Sequence, residues 1–357
     1  MQPDVLPNNS NLAGVDIDAG FAAAGNELVS VIVPCYNEEQ FIGKTLENLA
    51  HQYTAAKFEI ILVDGSSEDS TREVIRKFAA SHPELSVILL DNPSRHIPVA
   101  LNIGIEAARG EIIARMDAHA VPSPEYINRC VKVLQQNNIG VVGMPCRVRP
   151  GATTLIARAI ASAVSHPFGI GDAKYRLSAG GPLQEPVDTV AFSCFRKSLW
   201  TQLKGYNESL LTNEDYDFNY RVRLTGQQVI LDRAGHCDYF ARTTLKRLAQ
   251  QYWRYGGWKA QMLKLHPRSL KLRHLVAPLF VLSVVFLALL SLMWKPMLIL
   301  LGLEIGLYAL LSLVFGWQVM RRNQDGIGML FIMPLVFLII HLSWGTSFLL
   351  GLIRRPG

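Results

Sequence analysis

The chain has 357 residues, 50% of them hydrophobic, and a net charge of +6 from 35 Lys and Arg against 29 Asp and Glu. The length allows roughly two domains with a full core, yet the apolar share is high for a wholly soluble protein, and apolar residues crowd after residue 274. Lys and Arg are dense from Arg242 to Arg273, just before that block; this reads as a basic collar at a membrane surface and, with no nucleic-acid motif beside it, argues against nucleic-acid binding.

Residues 1–26 lack periodicity and predict a flexible tail, without the basic and apolar regions of a signal peptide. Residues 28–34 are a β-branched run stopped by Pro34, the pattern of a buried parallel strand. Phe41, Ile42, Leu46 and Leu49 then recur at helical spacing. Residues 58–64 make a second strand ending on Asp64; 65–70 form a turn with helix-capping character, and Val74, Ile75 and Phe78 lie on the helix behind it. A third strand at 86–90 and a helix at 98–108 lead to Ile112, Ile113, Ala114 and Met116, a short buried strand that runs out at Asp117 and His119. This alternation argues a parallel α/β sheet with its ligand at the carboxyl ends of the strands. Further strands and helices are expected over 139–148, 188–196, 199–203 and 227–231, around a Gly- and Pro-rich loop at 165–187. Cys35, Cys130, Cys146, Cys194 and Cys237 are odd in number and form no C-x-x-C pair, so they read as reduced core residues in the cytosol.

Three polar clusters thus fall at strand ends: Tyr36-Asn37-Glu38, Asp64, and Asp117 with His119. Side chains two apart on a strand share a face, so Asp117 and His119 either hold a divalent cation or close the strand in a polar turn. Both Gly-rich phosphate-binding fingerprints are absent, so a phosphate-bearing ligand here needs a cation. Residues 212–218 place Glu214, Asp215 and Asp217 at a helix start, either as an N-terminal cap or with a general base among them.

Residues 245–265 interleave Lys, Arg, Gln, Trp and Tyr with Leu and Met, the make-up of a helix lying in a membrane interface. Stretches at about 275–293, 297–317 and 329–353 are near or above the ~20 apolar residues that cross a bilayer. Three crossings from a cytosolic catalytic half put Lys295 outside and Arg321-Arg322 inside, with the positive-inside tendency, and Arg354-Arg355 outside, against it. The last stretch, interrupted by His341, Ser343, Trp344 and Gly345, is therefore expected as a span or as a re-entrant segment or hairpin. Glu304, an acid within a span, has either a functional or pairing role or a position close to the interface. The expected division is a tail (1–26), a catalytic domain (27–243), an amphipathic interfacial segment (244–273) and about three transmembrane helices (274–357).

Residues 31–39, 63–69 and 102–113, the Asp117-Ala118-His119 triplet, the Glu214-Asp215 pair and Gln251-Tyr252-Trp253-Arg254-Tyr255 occur in that order. Together they resemble family 2 inverting glycosyltransferases over about residues 28–260, and within that family the membrane-attached glucosyltransferase branch of succinoglycan biosynthesis. The resemblance implies a GT-A fold, that is, a Rossmann-like nucleotide-binding α/β domain followed by an interfacial helix and C-terminal transmembrane helices. It implies a multi-pass protein of the cell inner membrane, its catalytic domain cytoplasmic. The implied nucleotide-sugar pocket is Pro34, Tyr36, Asn37, Glu38, Asp64, Arg95, Asn102 and Asp117, with Asp64 at the uracil edge. Asp117 and His119 would hold Mn²⁺ or Mg²⁺ where the family usually has Asp-x-Asp. Asp215 would be the catalytic base beside Glu214, while Gln251, Arg254 and Tyr255 would cradle acceptor and diphosphate, Tyr255 standing where the motif has Trp.

The implied activity is that of a hexosyltransferase moving one sugar, glucose in the first place, from a UDP-sugar to a polyprenyl-diphosphate-linked saccharide, with a β-linked product. The setting would be bacterial exopolysaccharide biosynthesis at a lipid membrane, beside other assembly enzymes. A processive synthase, a polyprenyl-phosphate sugar transferase and a non-catalytic nucleotide-sugar-binding assembly protein are the alternatives. His119 is a nitrogen ligand that must be neutral to bind, which tilts the expected preference toward Mn²⁺ and predicts weakening activity below about pH 6.5.

Overall fold

A computed structural model of the protein describes residues 27–54, 56–177 and 180–354, so the tail expected over 1–26 lies outside the described residues. The apolar runs of the first third become parallel strands β1 (Val29–Cys35), β2 (Phe58–Asp64), β3 (Ser86–Asp91) and β4 (Ile112–Arg115). Helices α1 (Ile42–Ala50), α2 (Thr71–Ser81) and α3 (Ile97–Ala107) connect them. β1 and β2 are buried on both faces because helices cover the sheet from each side, which is why their sequences are continuous rather than alternating. Gly104 lets α3 seat closely: a Cβ there would lie 2.6 Å from Ile32.

The second third departs from the all-parallel expectation. β5 (Ala120–Pro122), α4 (Tyr126–Leu134), β6 (Ile139–Gly143), β7 (Cys146–Arg149), α5 (Leu155–Ala163) and α6 (Pro167–Ile170) come first. β8 (Gln184–Pro186), β9 (Cys194–Arg196), α7 (Lys197–Gln202), α8 (Glu214–Leu224), β10 (Gln228–Asp232) and β11 (Cys237–Phe240) follow. The eight-stranded sheet has the order β3-β2-β1-β4-β9-β6-β10-β8, and β5-β11-β7 form a separate small sheet. β9 runs antiparallel to both β4 and β6, and β8 antiparallel to β10, so the sheet is mixed. The cause is the path of the intervening chain. Cys194 pairs with Ala114 and Arg196 with Ile112, so β9 enters at the carboxyl end of β4 and runs away from it, with no crossover helix to reverse its direction. The expected loop at 165–187 is partly ordered into α6, a 3₁₀ turn at Lys174–Arg176 and β8.

α9 (Leu245–Leu265) starts where Thr244 caps the backbone N–H of Arg247. α10 (Arg273–Met293), α11 (Met297–Asn323) and α12 (Gly328–Ile353) are each long and apolar enough to cross a membrane. α12 is one unbroken helix, so the alternative of a hairpin in the last stretch does not hold. Its polar interruptions are satisfied in place: the His341 ring nitrogens meet the Tyr308 hydroxyl at 2.9 Å and the Phe168 carbonyl at 2.8 Å. Gly345 makes room for the backbone of Ala277, which a Cβ would approach to 2.6 Å. Glu304 has its partner across the α10–α11 pair, accepting a 2.5 Å hydrogen bond from Ser283.

Both ends of α12 rest on the α/β body. Just before its start, Asp325 pairs with Arg158 of α5 at 2.9 Å; at its end, Gln261 of α9 donates to the Gly351 carbonyl at 3.1 Å and Lys264 to that of Arg354. α9 runs beside the second half of α12, close enough that a Cβ on Gly256 would sit 2.2 Å from the Trp344 carbonyl. The buried face of α9 therefore meets protein, and a third core joins α5, α9, α11 and α12 through Ile160, Leu248, Tyr252, Val319, Met333 and Phe337. The α10–α11 pair instead projects, with Leu289, Leu292, Met293 and Leu303 exposed.

Candidate active site

The carboxyl ends of β1, β2 and β4 share one edge because these strands are parallel and in register, Cys35 opposite Asp64 and Ile32 opposite Arg115. Arg115 ends β4. Its buried guanidinium meets Glu214 at 2.9 Å and Asp117 at 3.6 Å. This ties the first turn of α8 to the tip of β4 and brings Asp117, Glu214 and Asp215 to one place. Burial and the neighbouring Asp215 push the Glu214 carboxyl up to about 7, against the pull of Arg115.

The three acids of that helix start have separate fates. Glu214 is buried against Arg115. Asp217 is fully buried and held by Arg221 and His266, each at 2.8 Å. Asp215 makes one backbone contact, accepting from the N–H of Tyr216 at 2.7 Å, and lines a cavity of about 550 Å³. Asn213 makes no side-chain cap.

That cavity also takes in Asp117, His119, Gln251, Arg254 and Tyr255, so the residues from β4, α8 and α9 singled out in the sequence converge. Gln251 donates to the hydroxyls of Tyr239 and Tyr255 at 3.1 and 3.0 Å and so orients both rings. His119 Nδ1 lies 3.0 Å from Glu38, which joins the loop after β1 to the tip of β4. Burial alone would lower the His119 pKa, but the Glu38 hydrogen bond and the charge of Asp117 outweigh it and raise the value above 6.5.

The remaining residues form the solvent side. Arg95 stacks over Tyr36 at 4.9 Å, donates to its hydroxyl at 3.0 Å and pairs with Glu68. Asn37, at φ 53°, accepts from the N–H of Glu68 through its side chain, and Pro34 lies at the end of β1. Asp64 is fully buried and engaged by Ser67 and Arg72, which hold its pKa low against the effect of burial. Asn102 is not brought to this edge: its amide is used by Trp200, Tyr206 and Glu208, locking α3 to the loop after α7.

Arg115, Arg176 and Lys259 are among the basic residues at the cavity that were not singled out from the sequence. Arg115 was legible as a charge inside an apolar strand, two positions from Asp117 and on its face. Arg176 reaches in from the 3₁₀ turn, its guanidinium 5.5, 5.7 and 6.0 Å from the ring centres of Tyr175, Tyr239 and Tyr255. Lys259 follows Tyr252 and Gly256 on the buried face of α9, where helical spacing calls for an apolar residue.

Comparison with known proteins identifies the domain that carries this edge of the sheet. Residues 30–203 match the family described as Glycosyl transferase family 2. The chain carries a family 2 glycosyltransferase domain. It is 27% identical over 323 residues, 89% of this chain and 93% of the relative, to the succinoglycan biosynthesis protein ExoA of Rhizobium meliloti. It is 25% identical over 66% of its length, and 74% of the relative's, to a dolichyl N-acetyl-α-D-glucosaminyl phosphate 3-β-D-2,3-diacetamido-2,3-dideoxy-β-D-glucuronosyltransferase of Methanococcus voltae. In structure it resembles the mannosyltransferase PcManGT of Pyrobaculum calidifontis, solved with GDP-Man and Mn²⁺, at a TM-score of 0.61 and 21% identity, with 88% of this chain and 86% of the other covered. The mixed sheet is therefore that of a GT-A glycosyltransferase.

Among the described residues no three His, Cys, Asp or Glu side chains converge on one point as a metal cage. Asp117 and His119 both line the cavity, a carboxylate and an imidazole whose Nε2 is left over from the Nδ1 contact with Glu38; this pair suits Mn²⁺ better than a harder ion, with substrate phosphates and water filling the remaining positions.

Replacing Arg115 with Met removes the counter-charge of a carboxyl already raised to about 7, so Glu214 takes up a proton, and we expect a loss of about 1–3 kcal/mol in stability that grows as pH rises. The Arg115→Met/Glu214→Met pair should recover much of it. Denaturation of the single and double variants in detergent checks this; additive losses would show that the two side chains do not act together.

Proposed function

We propose that this glycosyltransferase moves one sugar, glucose in the first instance, from a UDP-sugar to a saccharide carried on a polyprenyl diphosphate, with inversion and a β-linked product. One observation carries the reading: Asp117 and Asp215 open onto a single cavity whose far wall is made by the apolar helices α10, α11 and α12. A nucleotide comes from the solvent rim at Tyr36 and Arg95, and a lipid-borne acceptor from the opposite wall. The names of the relatives support that acceptor class, one belonging to succinoglycan biosynthesis and the other to transfer onto a dolichyl-linked sugar phosphate.

Inversion needs a base for the acceptor hydroxyl and counter-charge for the departing diphosphate. Asp215 takes the hydroxyl proton as that oxygen attacks the anomeric carbon and the bond to the diphosphate breaks. Glu214 is committed to Arg115 and positions its neighbour. Arg254 and Arg176 stand around the leaving group. A divalent cation at Asp117 and His119, Mn²⁺ or Mg²⁺, supplies Lewis-acid neutralisation of the diphosphate when bound. The Tyr36–Arg95 stack gives the base of the nucleotide a flat surface, and Gln251 with Tyr255 shapes the acceptor side.

At the membrane, residues 27–243 form the catalytic body on the cytoplasmic face of the inner membrane, and α10 and α11 cross as a hairpin with Lys295 on the far side. α12 stays with the body, as the contacts of Asp325 and of Lys264 at its two ends support. Arg354 then remains inside, and the conflict with the positive-inside tendency disappears.

Purified protein in detergent should release UDP from UDP-glucose only when a polyprenyl-diphosphate sugar is present. Asp215→Asn should lower kcat by roughly 10²- to 10⁴-fold, the worth of a positioned base; retained turnover overturns the role of Asp215. Because the His119 pKa is raised, the ring takes up its proton sooner as pH falls, so activity at limiting Mn²⁺ should decline from above pH 6.5. Glu38→Gln removes the main cause of the rise and should move that decline to lower pH, as rate profiles would show; an unmoved profile separates His119 from cation binding. A cysteine placed at Lys295 should react with an impermeant thiol reagent from the periplasmic face, and one placed at Arg354 only in opened vesicles. Labelling of both from one face overturns the hairpin.

A further inference from the structure

The transfer chemistry leaves Lys259 without a task. This residue of α9 is 3% exposed and lines the cavity that contains Asp117 and Asp215. Its ammonium nitrogen contacts the face of Tyr216, 3.5 Å from the ring centre, and the sulfur of Met262 at 3.5 Å. Neither is an anion. The nearby Asp188 is already held by Arg273 and by the Tyr216 hydroxyl at 3.1 Å, and among the described residues no carboxylate pairs with Lys259. An ammonium taken out of water without a counter-ion is costly, and burial, then the charge of Arg273, pull the Lys259 pKa down to about 7. Such a group gains from any anion that reaches it.

The surroundings define the anion. Beyond Lys259, away from the strand ends, the cavity wall carries Val276, Ala277, Phe280, Ile340 and Trp344, and its polar members Arg273, His274, Tyr308 and His341 are engaged with Asp188, the Lys271 backbone, each other or the Phe168 carbonyl. A buried cation between sugar-transfer acids and an apolar wall is complementary to a molecule with a phosphate head and a hydrocarbon tail. We propose that Lys259 binds the phosphate of the lipid-linked acceptor, with the isoprenoid chain lying along the wall of Val276, Phe280, Ile340 and Trp344. This rests on the acceptor class given above and assigns a residue to it. Lys259, Tyr216 and Asp215 line the same cavity, so a phosphate held at Lys259 shares it with the base.

The test uses the full-length wild-type protein in detergent and needs no turnover, so it is separable from the outcome with Asp215→Asn. Reductive methylation of Lys259, read by mass spectrometry, should be suppressed by farnesyl diphosphate and not by farnesol or UDP. Protection by farnesol to the same degree would mean that the wall alone binds, and protection by UDP without lipid would assign the cation to the nucleotide's diphosphate. Either result overturns the proposal, as does a Lys259 that resists methylation in the ligand-free protein, since the site must be open. In turnover, Lys259→Met should raise the KM for the polyprenyl-diphosphate sugar roughly ten- to a hundredfold, the worth of a hydrogen bond to a charged group, and leave the KM for the UDP-sugar unchanged. An unchanged acceptor KM, or a shift in the donor KM instead, overturns it equally.

Discussion

The contact of Arg115 with Glu214 is the interaction on which the site depends. β4 supplies Asp117, α8 supplies Asp215, and about one hundred residues of chain separate them. A single buried ion pair closes that gap. Two charges withdrawn from water repay their desolvation only when geometry holds them together, so the pair is a poor general stabiliser and a strong register mark. The guanidinium keeps two of its nitrogens without a hydrogen-bond partner, which leaves its charge directed at the acids around it rather than shared among many acceptors. Glu214 is bound to Arg115 so that Asp215, one residue on, can face the cavity.

Around this centre the electrostatics are sorted by depth. The solvent rim pairs its charges, Arg95 with Glu68 and Arg72 with Asp91, and Arg72 also reaches in to the buried Asp64. Inside the cavity Arg176 and Lys259 are flanked by aromatic rings instead of carboxylates. Aromatic faces stabilise a cation modestly and do not neutralise it. Cationic groups without carboxylate partners are thereby kept inside the cavity that Asp117 and Asp215 also line.

Much of this was legible in the sequence. Apolar runs ending on acids marked β1, β2 and β4 and aligned their carboxyl ends, because helix-separated parallel strands have that geometry. The acids of α8 stood out by type and position at a helix start, and the Gln251–Tyr255 run by its resemblance to a family motif. Strand direction did not: the three residues of β9 carry no periodicity that distinguishes parallel from antiparallel, and only the path of the chain through α5 and α6 decides it. The unbroken course of α12 was hidden for a related reason. His341 and Gly345 look like interruptions until Tyr308, Phe168 and the backbone of Ala277 are seen to meet them. Arg176, half-buried, and Lys259, buried, escaped because a cation without a carboxylate partner is defined by what is absent around it. Asn102 shows the converse, a residue of suitable chemistry whose hydrogen bonds are all taken up in holding α3.

The wall contributed by α12 has a consequence for biogenesis. Ile340, His341 and Trp344 close the cavity, and they belong to the last helix of this sequence. The α/β layers, complete by β11, can form on a ribosome whose tunnel still holds the apolar segments, yet they then present the cavity with one side missing. α10 and α11 emerge next, and α12 packs back onto α5 and α9 only after synthesis has passed it. A nascent chain that has not yet delivered α12 therefore has its acids assembled and one wall of the cavity missing, and the cavity closes only when that helix packs back onto α5 and α9.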